Sequence, residues 1–175
     1  MPKFIVNLSR GGHGLRDFLT ERLPEARPDS VHRDLEGAFG EARVAKEGND
    51  VSLISYGRQV NLLLRVADRL ANEEKIDAEV IDLRSIRPFD TDTIVASVRK
   101  THRAVVVQEQ WRWFSVASEV AAIIQEQAFD YLDAPVGRVS GAEVPAPYAR
   151  NLELAVFPSE NDVIKAVHQS LYREA

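Results

Sequence analysis

The side chains that most often carry catalysis or metal binding form no catalytic pattern in this sequence. The chain contains no cysteine, which excludes thiolate nucleophiles, iron–sulfur clusters and cysteine zinc sites. No Gly-x-Ser-x-Gly sequence is present to hold a serine nucleophile. The histidines show neither the His-x-His nor the His-Glu-x-x-His spacing that places two imidazoles on one metal ion; they are His13, His32, His102 and His168. The residues therefore predict no catalytic site and no metal site.

Two glycine-containing segments are candidates for ligand binding. Arg10–Gly14 follows the apolar triplet Phe4–Val6, but it matches neither the dinucleotide fingerprint nor the P-loop, so a flexible turn is the better interpretation. Tyr56, Gly57 and Arg58 follow a predicted strand, at the crevice where doubly wound sheets bind ligands. Either these three residues line a ligand crevice, or Gly57 permits a turn that a neighbouring side chain caps.

Three aromatic residues lie close together after another predicted strand. The segment Glu109–Phe114 contains Trp111, Trp113 and Phe114. Such a cluster either seals the carboxyl edge of a sheet or anchors a partner, because Trp and Arg concentrate binding energy at interfaces. We favour a subunit interface, with Trp111 and Trp113 as partner-binding residues.

Length and composition indicate one globular domain. The chain has 175 residues, of which 45% are hydrophobic and 28% are charged, close to the averages of globular proteins. A formal net charge of −5 disfavours nucleic acid, whose phosphates are bound by clustered Lys and Arg. No apolar run approaches the roughly 18 residues that a membrane span needs. We therefore expect a soluble intracellular protein that binds neither nucleic acid nor a membrane.

From Asp50 onward, segments with strand periodicity alternate with segments with helix periodicity. Val51–Tyr56 is a short apolar run, and 60–71 repeats apolar residues at helical spacing. Helices that alternate with strands require a mostly parallel sheet with helices on both faces. The predicted fold class is α/β in three layers, α/β/α. Further strands are expected at 78–83, 104–108 and 136–140, and further helices at 91–103, 116–129 and 159–171.

Two of these helices begin with recognisable capping residues. Asp90 or Thr91 can accept the first free backbone N–H groups of the helix that follows Pro88. Ser159 begins the last helix, and Asp162 occupies the capping-box position three residues later. We expect both helix starts at these residues.

The first 45 or so residues do not follow the alternation. We expect residues 1–36 to form an N-terminal arm and residues 37–175 to form the α/β domain. Leu15–Leu23 predicts a short amphipathic helix within the arm. Arg43–Lys46 and Asp50–Ile54 are expected to pair as a hairpin, because the Gly and Asn between them tolerate a tight turn.

Motifs of one family run in order through most of the chain. They are Ala42–Gly57, Glu79–Asp90, Val105–Trp111, Ala128–Pro135 and Val139–Tyr148. Together they resemble the C-terminal domain of the pyruvate dehydrogenase E1 β subunit, of the transketolase C-terminal-domain family. Trp111 and the Val-Pro-Ala-Pro-Tyr run favour the pyruvate branch over the branched-chain 2-oxo acid branch. The resemblance implies the transketolase C-terminal fold.

The same resemblance implies that catalysis needs a second domain. In this family a pyrimidine-binding domain supplies the glutamate that activates thiamine diphosphate, and residues 1–36 do not resemble that domain. We therefore carry over no catalytic and no cofactor-binding residue. Thiamine diphosphate and Mg²⁺ are expected in the full E1 enzyme, and neither is expected on this chain alone. By itself the chain is not expected to decarboxylate pyruvate.

A role in assembly is also implied. The family's domain packs against its twin in an E1 heterotetramer with α subunits. It docks the peripheral subunit-binding domain of the dihydrolipoyl acyltransferase (E2) through an acidic surface and the terminal carboxylate. Asp133 and Ala175 are the matching positions. A carboxylate near a chain terminus can bind Arg or Lys of a basic module; alternatively, Asp133 only caps the turn before Pro135.

Three functions compete at this point. The favoured one is an assembly domain of a pyruvate dehydrogenase E1 β subunit, which supports homodimer and E1 α association and E2 docking, in a bacterial cytoplasm or the mitochondrial matrix. In the second, the chain completes an active thiamine-dependent E1 with separately encoded subunits. The third is a non-catalytic, stand-alone regulatory domain that binds a ligand or a nucleotide.

Overall fold

The structure is a computed structural model that describes residues 40–173. The predictions made for the N-terminal arm, including the Arg10–Gly14 turn and the Leu15–Leu23 helix, lie outside these residues. So does the predicted contact of Ala175.

Strands and helices alternate through the described chain, as the sequence predicts. The helix at Arg150–Val156 was not predicted. The strands are β1 Arg43–Lys46, β2 Val51–Ser55, β3 Ala78–Asp82, β4 Ala104–Val107 and β5 Gly137–Val139. The helices are α1 Gln59–Glu74, α2 Thr91–Thr101, α3 Val116–Ala128, α4 Arg150–Val156 and α5 Glu160–Ser170, with a 3₁₀ turn at Phe129–Tyr131.

The strands form one mixed, mostly parallel sheet in the order β1-β3-β2-β4-β5. β2 lies at the centre and pairs in parallel with β3 on one side and β4 on the other. β5 pairs in parallel with β4. Only β1 is antiparallel among the described strands. All parallel strands therefore end at one edge of the sheet, the carboxyl edge, and begin at the opposite amino edge.

The prediction that β1 and β2 pair as a hairpin is wrong. β1 pairs with β3, so that Arg43 faces Asp82 and Val44 faces Ile81. All five residues of β2 are buried, and both of its edges are already occupied by parallel neighbours. β1, which is partly exposed, instead covers the outer edge of the sheet. Two periodic segments near a Gly-Asn turn are thus not sufficient to predict which strands pair.

Helices cover both faces of the sheet, which confirms the three-layer prediction. On one face, α1 and α5 pack on side chains such as Leu53 and Val105. On the other face, α2 and α3 pack on Ile54 and Val106. Successive strand residues point to opposite faces, so each parallel strand contributes to both cores.

Asp90 ties the start of α2 to the edge strand. Its carboxylate accepts hydrogen bonds from the backbone N–H of Thr93 at 3.0 Å and from the backbone N–H of Ala42 at 2.8 Å. The Thr93 hydroxyl donates a third bond at 2.8 Å. Of the two predicted caps, Asp90 is the one that acts. The capping box of Ser159 and Asp162 is also confirmed.

Replacing Asp90 with alanine is expected to lower the free energy of unfolding by about 1–2 kcal/mol, because two backbone N–H groups lose their acceptor. Urea unfolding at neutral pH measures this change. Asp92→Ala, an exposed acidic residue in the same first turn, is the control and should cost well under half as much. Equal losses for the two variants would contradict the assigned cap.

The same contacts predict a pH dependence. Burial acts to raise the pKa of the Asp90 carboxyl, but the bonds from Thr93 and Ala42 outweigh it and lower that pKa below its usual value. The stabilisation is thus present above the ordinary aspartate pKa and is lost as pH falls through the lowered value. The stability gap between wild type and Asp90→Ala should narrow below about pH 4. A gap that is constant down to pH 2 would contradict this account.

Candidate functional site

The carboxyl edge of the sheet carries an exposed aromatic segment. We call residues 109–115, between β4 and α3, the aromatic loop. Trp111 is 55% exposed, Trp113 is 63% exposed and Phe114 is fully exposed. These rings do not seal the sheet, so of the two sequence interpretations the exposure favours partner binding. They border a cleft of about 320 Å³ together with Val144, Ala146 and Phe157.

One buried side chain, Gln108, holds the aromatic loop in place. Its amide nitrogen donates to the backbone oxygen of Trp111 at 2.7 Å and to the Ser140 hydroxyl at 3.3 Å. Its amide oxygen accepts the backbone N–H of Ala117, at the start of α3, at 2.8 Å. The side chain thus links the loop, the chain after β5 and α3. Sequence reasoning missed it, although a glutamine that directly follows a run of buried valines is an available signal.

Phe114 occupies a conformation that its side chain disfavours. Its φ angle is +49°, in the left-handed region where a Cβ is sterically strained. The neighbouring Ser115 and Ser118 hydroxyls both donate to the backbone oxygen of Arg112, at 3.3 Å and 3.1 Å. These local bonds and Gln108 fix the turn that presents Phe114 to solvent.

The predicted ligand crevice lies against the aromatic loop. The Tyr56 hydroxyl donates to the side-chain oxygen of Gln110 at 3.0 Å, and Arg58 is ion-paired with Glu109. Burial, followed by the negative charge of Glu109, raises the pKa of Tyr56. Gly57 has a φ angle of +60°, so its role is to allow this turn. Tyr56 and Arg58 thus join the first crossover to the loop after β4.

Asp133 lies at the opposite, amino edge of the sheet. Its side chain is 53% exposed, and its carboxylate forms an ion pair with the Arg103 guanidinium at 3.0 Å. The Tyr172 hydroxyl donates to the backbone oxygen of Asp133 at 3.1 Å. In residues 40–173 its carboxylate accepts no backbone N–H, so the turn-capping alternative has no support there.

Three exposed aromatic residues lie close to Asp133 in the sequence or contact its backbone. We call Phe129, Tyr131, Asp133 and Tyr172 the Asp133 surface; each of its three rings is exposed. The surroundings are mixed in charge rather than acidic, because Arg103 pairs with Asp133 and Arg99 stacks on the Tyr131 ring at 5.0 Å. The surface therefore combines one half-exposed carboxylate with an apolar rim.

The described residues contain no cluster of metal ligands. Within residues 40–173, no three His, Asp or Glu side chains lie close enough to share a metal ion. None of the described helices combines the length and the apolar character that a membrane crossing demands. What the geometry offers is two exposed surfaces at opposite edges of one sheet, each with its own anchoring residue.

The fold and these surfaces place the chain in a class of α/β domain. A family model for the transketolase C-terminal domain matches residues 40–163, and the chain belongs to this family. Its relatives are pyruvate dehydrogenase E1 component β subunits, and the match is confined to their C-terminal portion. The chain is thus an E1 β-related domain.

The sequence similarity is substantial but partial. The E1 β subunit of Rickettsia felis is 50% identical over 134 residues, which are 77% of this chain and 41% of the relative. The mitochondrial β-1 subunit of Arabidopsis thaliana is 48% identical over 135 residues, covering 77% of this chain and 37% of the relative. The chain spans well under half the length of these relatives.

Solved structures support the same fold. A chain of a split-gene transketolase, described as an inactive β4 tetramer, superposes with a TM-score of 0.67 and 28% identity over 78% of this chain and 44% of that chain. A 2-oxoglutarate:ferredoxin oxidoreductase from Magnetococcus marinus shares the fold alone, with a TM-score of 0.52 and 11% identity over 90% of this chain and 23% of the other.

Gln108→Leu tests the anchoring of the aromatic loop. Leucine fits a similar volume but leaves the Ala117 N–H and the Trp111 oxygen without their partner, so unfolding free energy should fall by about 1–3 kcal/mol. Trp111 and Trp113 are the chain's two tryptophans, so fluorescence quenching by acrylamide reports on this loop alone and should increase. Gln125→Leu, on the exposed side of α3, is the control. Wild-type stability and quenching in Gln108→Leu would contradict the anchoring role.

Proposed function

We propose that this chain acts as an assembly domain of a pyruvate dehydrogenase E1 β subunit. In this role it supports association among E1 subunits and docks the E2 core of the complex that oxidatively decarboxylates pyruvate to acetyl-CoA. The observation that carries the proposal is the close match to E1 β subunits together with an exposed binding surface at each sheet edge. Because about half of the matched residues are identical, we expect this chain to keep the fold and the class of partner of these relatives.

In this proposal the chemistry belongs to other parts of the enzyme. Thiamine diphosphate with Mg²⁺ would supply the carbanion chemistry of the full E1, and no described residue of this chain is assigned to either group. The chain by itself would bind neither cofactor and would not decarboxylate pyruvate. Because the relatives are named from Rickettsia and from mitochondria, the bacterial cytoplasm or the mitochondrial matrix is the proposed location.

The aromatic loop is the proposed surface for E1 subunit association. Solvent-exposed Trp and Phe rings lose unfavourable water contact when a partner covers them, and Trp is among the residues that dominate interface energies. The similar split-gene transketolase is described as a β4 tetramer, which supports association of such domains with one another. A second copy of this chain and the E1 α subunit are the proposed partners.

The Asp133 surface is the proposed docking site for the E2 peripheral subunit-binding domain. Arg103 pairs with one oxygen of the carboxylate at 3.0 Å, and the side chain remains 53% exposed. The other oxygen can accept from a partner's Arg or Lys, while the apolar rim covers the aliphatic stem of that side chain. Such a contact gives association that is fast and sensitive to salt.

Calorimetric titration of this chain with the subunit-binding domain tests docking. Asp133→Asn should weaken binding about tenfold, which is the loss of one charged hydrogen bond. Raising the salt concentration should weaken the wild type more than the variant. Asp130→Asn, an exposed neighbour, is the matched control. No binding at low salt, or equal effects of the two substitutions, would contradict the proposed docking site.

Sedimentation velocity tests association through the aromatic loop. Trp113→Ser should shift the chain toward monomer by weakening self-association about tenfold or more, as removal of an interface tryptophan does. Phe129→Ser removes a ring of similar exposure, 61%, from the opposite edge and should leave self-association unchanged. A wild-type chain that stays monomeric at every concentration, or equal effects of both variants, would reject this surface.

A further inference from the structure

A second cleft at the carboxyl edge has a different chemical character. It encloses about 500 Å³ beside β5, the outermost strand on its side of the sheet. It is lined by Arg112, by β5 and the chain that follows it, by residues 155–158 and by α5. Three of the lining residues are basic: Arg112, Arg138 and Lys165. The cleft is separate from the Asp133 surface, which lies at the other end of the strands.

Neutral oxygens hold the two arginines in position. The Arg112 guanidinium donates to the backbone oxygen of Arg138 at 3.0 Å. The Arg138 guanidinium donates to the Ser118 hydroxyl on α3 at 3.0 Å. Each guanidinium carries five N–H donors, so these contacts leave most of its donors available. The contact from Arg112 to the Arg138 backbone also brings the two like-charged residues side by side.

Carboxylates do not neutralise this pair. Across residues 40–173, neither arginine lies within ion-pair distance of an Asp or Glu side chain, in contrast to Arg58, Arg65, Arg69, Arg103 and Arg173. Two acidic residues also line the cleft. Asp162 is engaged by the backbone and the hydroxyl of Ser159 in the capping box, and Glu143 pairs with neither arginine.

Lys165 completes the cationic lining from the opposite wall. It lies on the exposed side of α5, one turn after the capping box. Its charge is close enough to contribute to the lowered pKa of Asp162, which results first from the hydrogen bonds of Ser159. Opposing basic walls around an open volume favour a compact anion that can contact both.

From this arrangement we infer that the cleft between β5 and α5 binds a small oxyanion with at least two negative charges, bearing phosphate or carboxylate groups. The planar guanidinium forks of Arg112 and Arg138 match the oxygens of either group, and Lys165 adds a point charge. The site lies alongside the outermost parallel strand and continues past its carboxyl end to Glu143. It gives the domain a ligand site that is separate from the Asp133 surface and shares Arg112 with the aromatic loop.

Amide NMR spectroscopy of the full chain, titrated at constant ionic strength, tests the inference. The probes are inorganic phosphate, pyrophosphate and citrate, with chloride as the baseline. The expected result is saturable shifts near Arg112 and Arg138–Gly141 with pyrophosphate or citrate. The probe that binds with the higher affinity shows whether the site takes phosphorylated or carboxylate ligands.

Substitutions make the test specific. Arg138→Gln should weaken binding about tenfold or more, and Arg138→Lys, which keeps the charge but loses the fork, should weaken it less. Arg112→Gln, at an exposed side chain, gives the same test if Arg138→Gln fails to fold. Arg43→Gln, an exposed arginine on β1, is the control and should bind as the wild type does.

Two results would overturn the inference. One is the absence of saturable shifts with all three probes at millimolar concentration. The other is equal weakening by Arg43→Gln and Arg112→Gln, which would show general electrostatic attraction rather than a site. Neither result bears on E2 docking, because Asp133 lies at the opposite edge of the sheet.

Discussion

The complete burial of β2 is the constraint on which the rest of the structure depends. A strand that is buried on both faces and paired on both edges needs a helix layer above and below it, and parallel neighbours need a crossover between them. α1 and α5 meet the first requirement on one face, and α2 and α3 meet it on the other. The loops that connect strands and helices must therefore lie at the carboxyl and amino edges of the sheet. Exposed surfaces that can bind partners arise there and nowhere in the core.

At each of these two edges, one buried or partly buried polar residue links separate segments of the exposed surface. At the carboxyl edge, Gln108 binds the aromatic loop, the chain after β5 and the first turn of α3. At the amino edge, Arg103 binds the Asp133 carboxylate and also donates to the backbone oxygen of Ser170 at 3.1 Å. Both anchors are pre-formed in the isolated domain, so a partner need not supply the energy to order these surfaces. This is the physical basis of the proposed role in assembly.

The sequence predicted the sheet and helix layers well, because the strand and helix periodicities that indicate them are local patterns. Runs such as Val51–Tyr56 and the helical repeat that follows it depend only on periodicity, which the core enforces. The pairing of β1 could not be predicted in this way. It depends on which strand keeps a side free for hydrogen bonding, and β2, β3 and β4 lie far apart in sequence. Helix α4 was missed because it is short and lies in a segment with three prolines, Pro145, Pro147 and Pro158, where turn chemistry dominates the pattern.

The exposed residues of the candidate site could be predicted from the sequence, but the residues that hold them in place could not. Trp111, Trp113 and Asp133 can be selected from residue type and resemblance, whereas the contacts of Gln108 and Arg103 link segments that only the fold brings together. The central claim is that the amino edge is the docking surface for E2. Hydrogen–deuterium exchange of this chain, with and without the E2 subunit-binding domain, tests it most directly. The account predicts added protection at residues 129–133 and at the end of α5. Protection confined to the aromatic loop, or none at low salt, would contradict it.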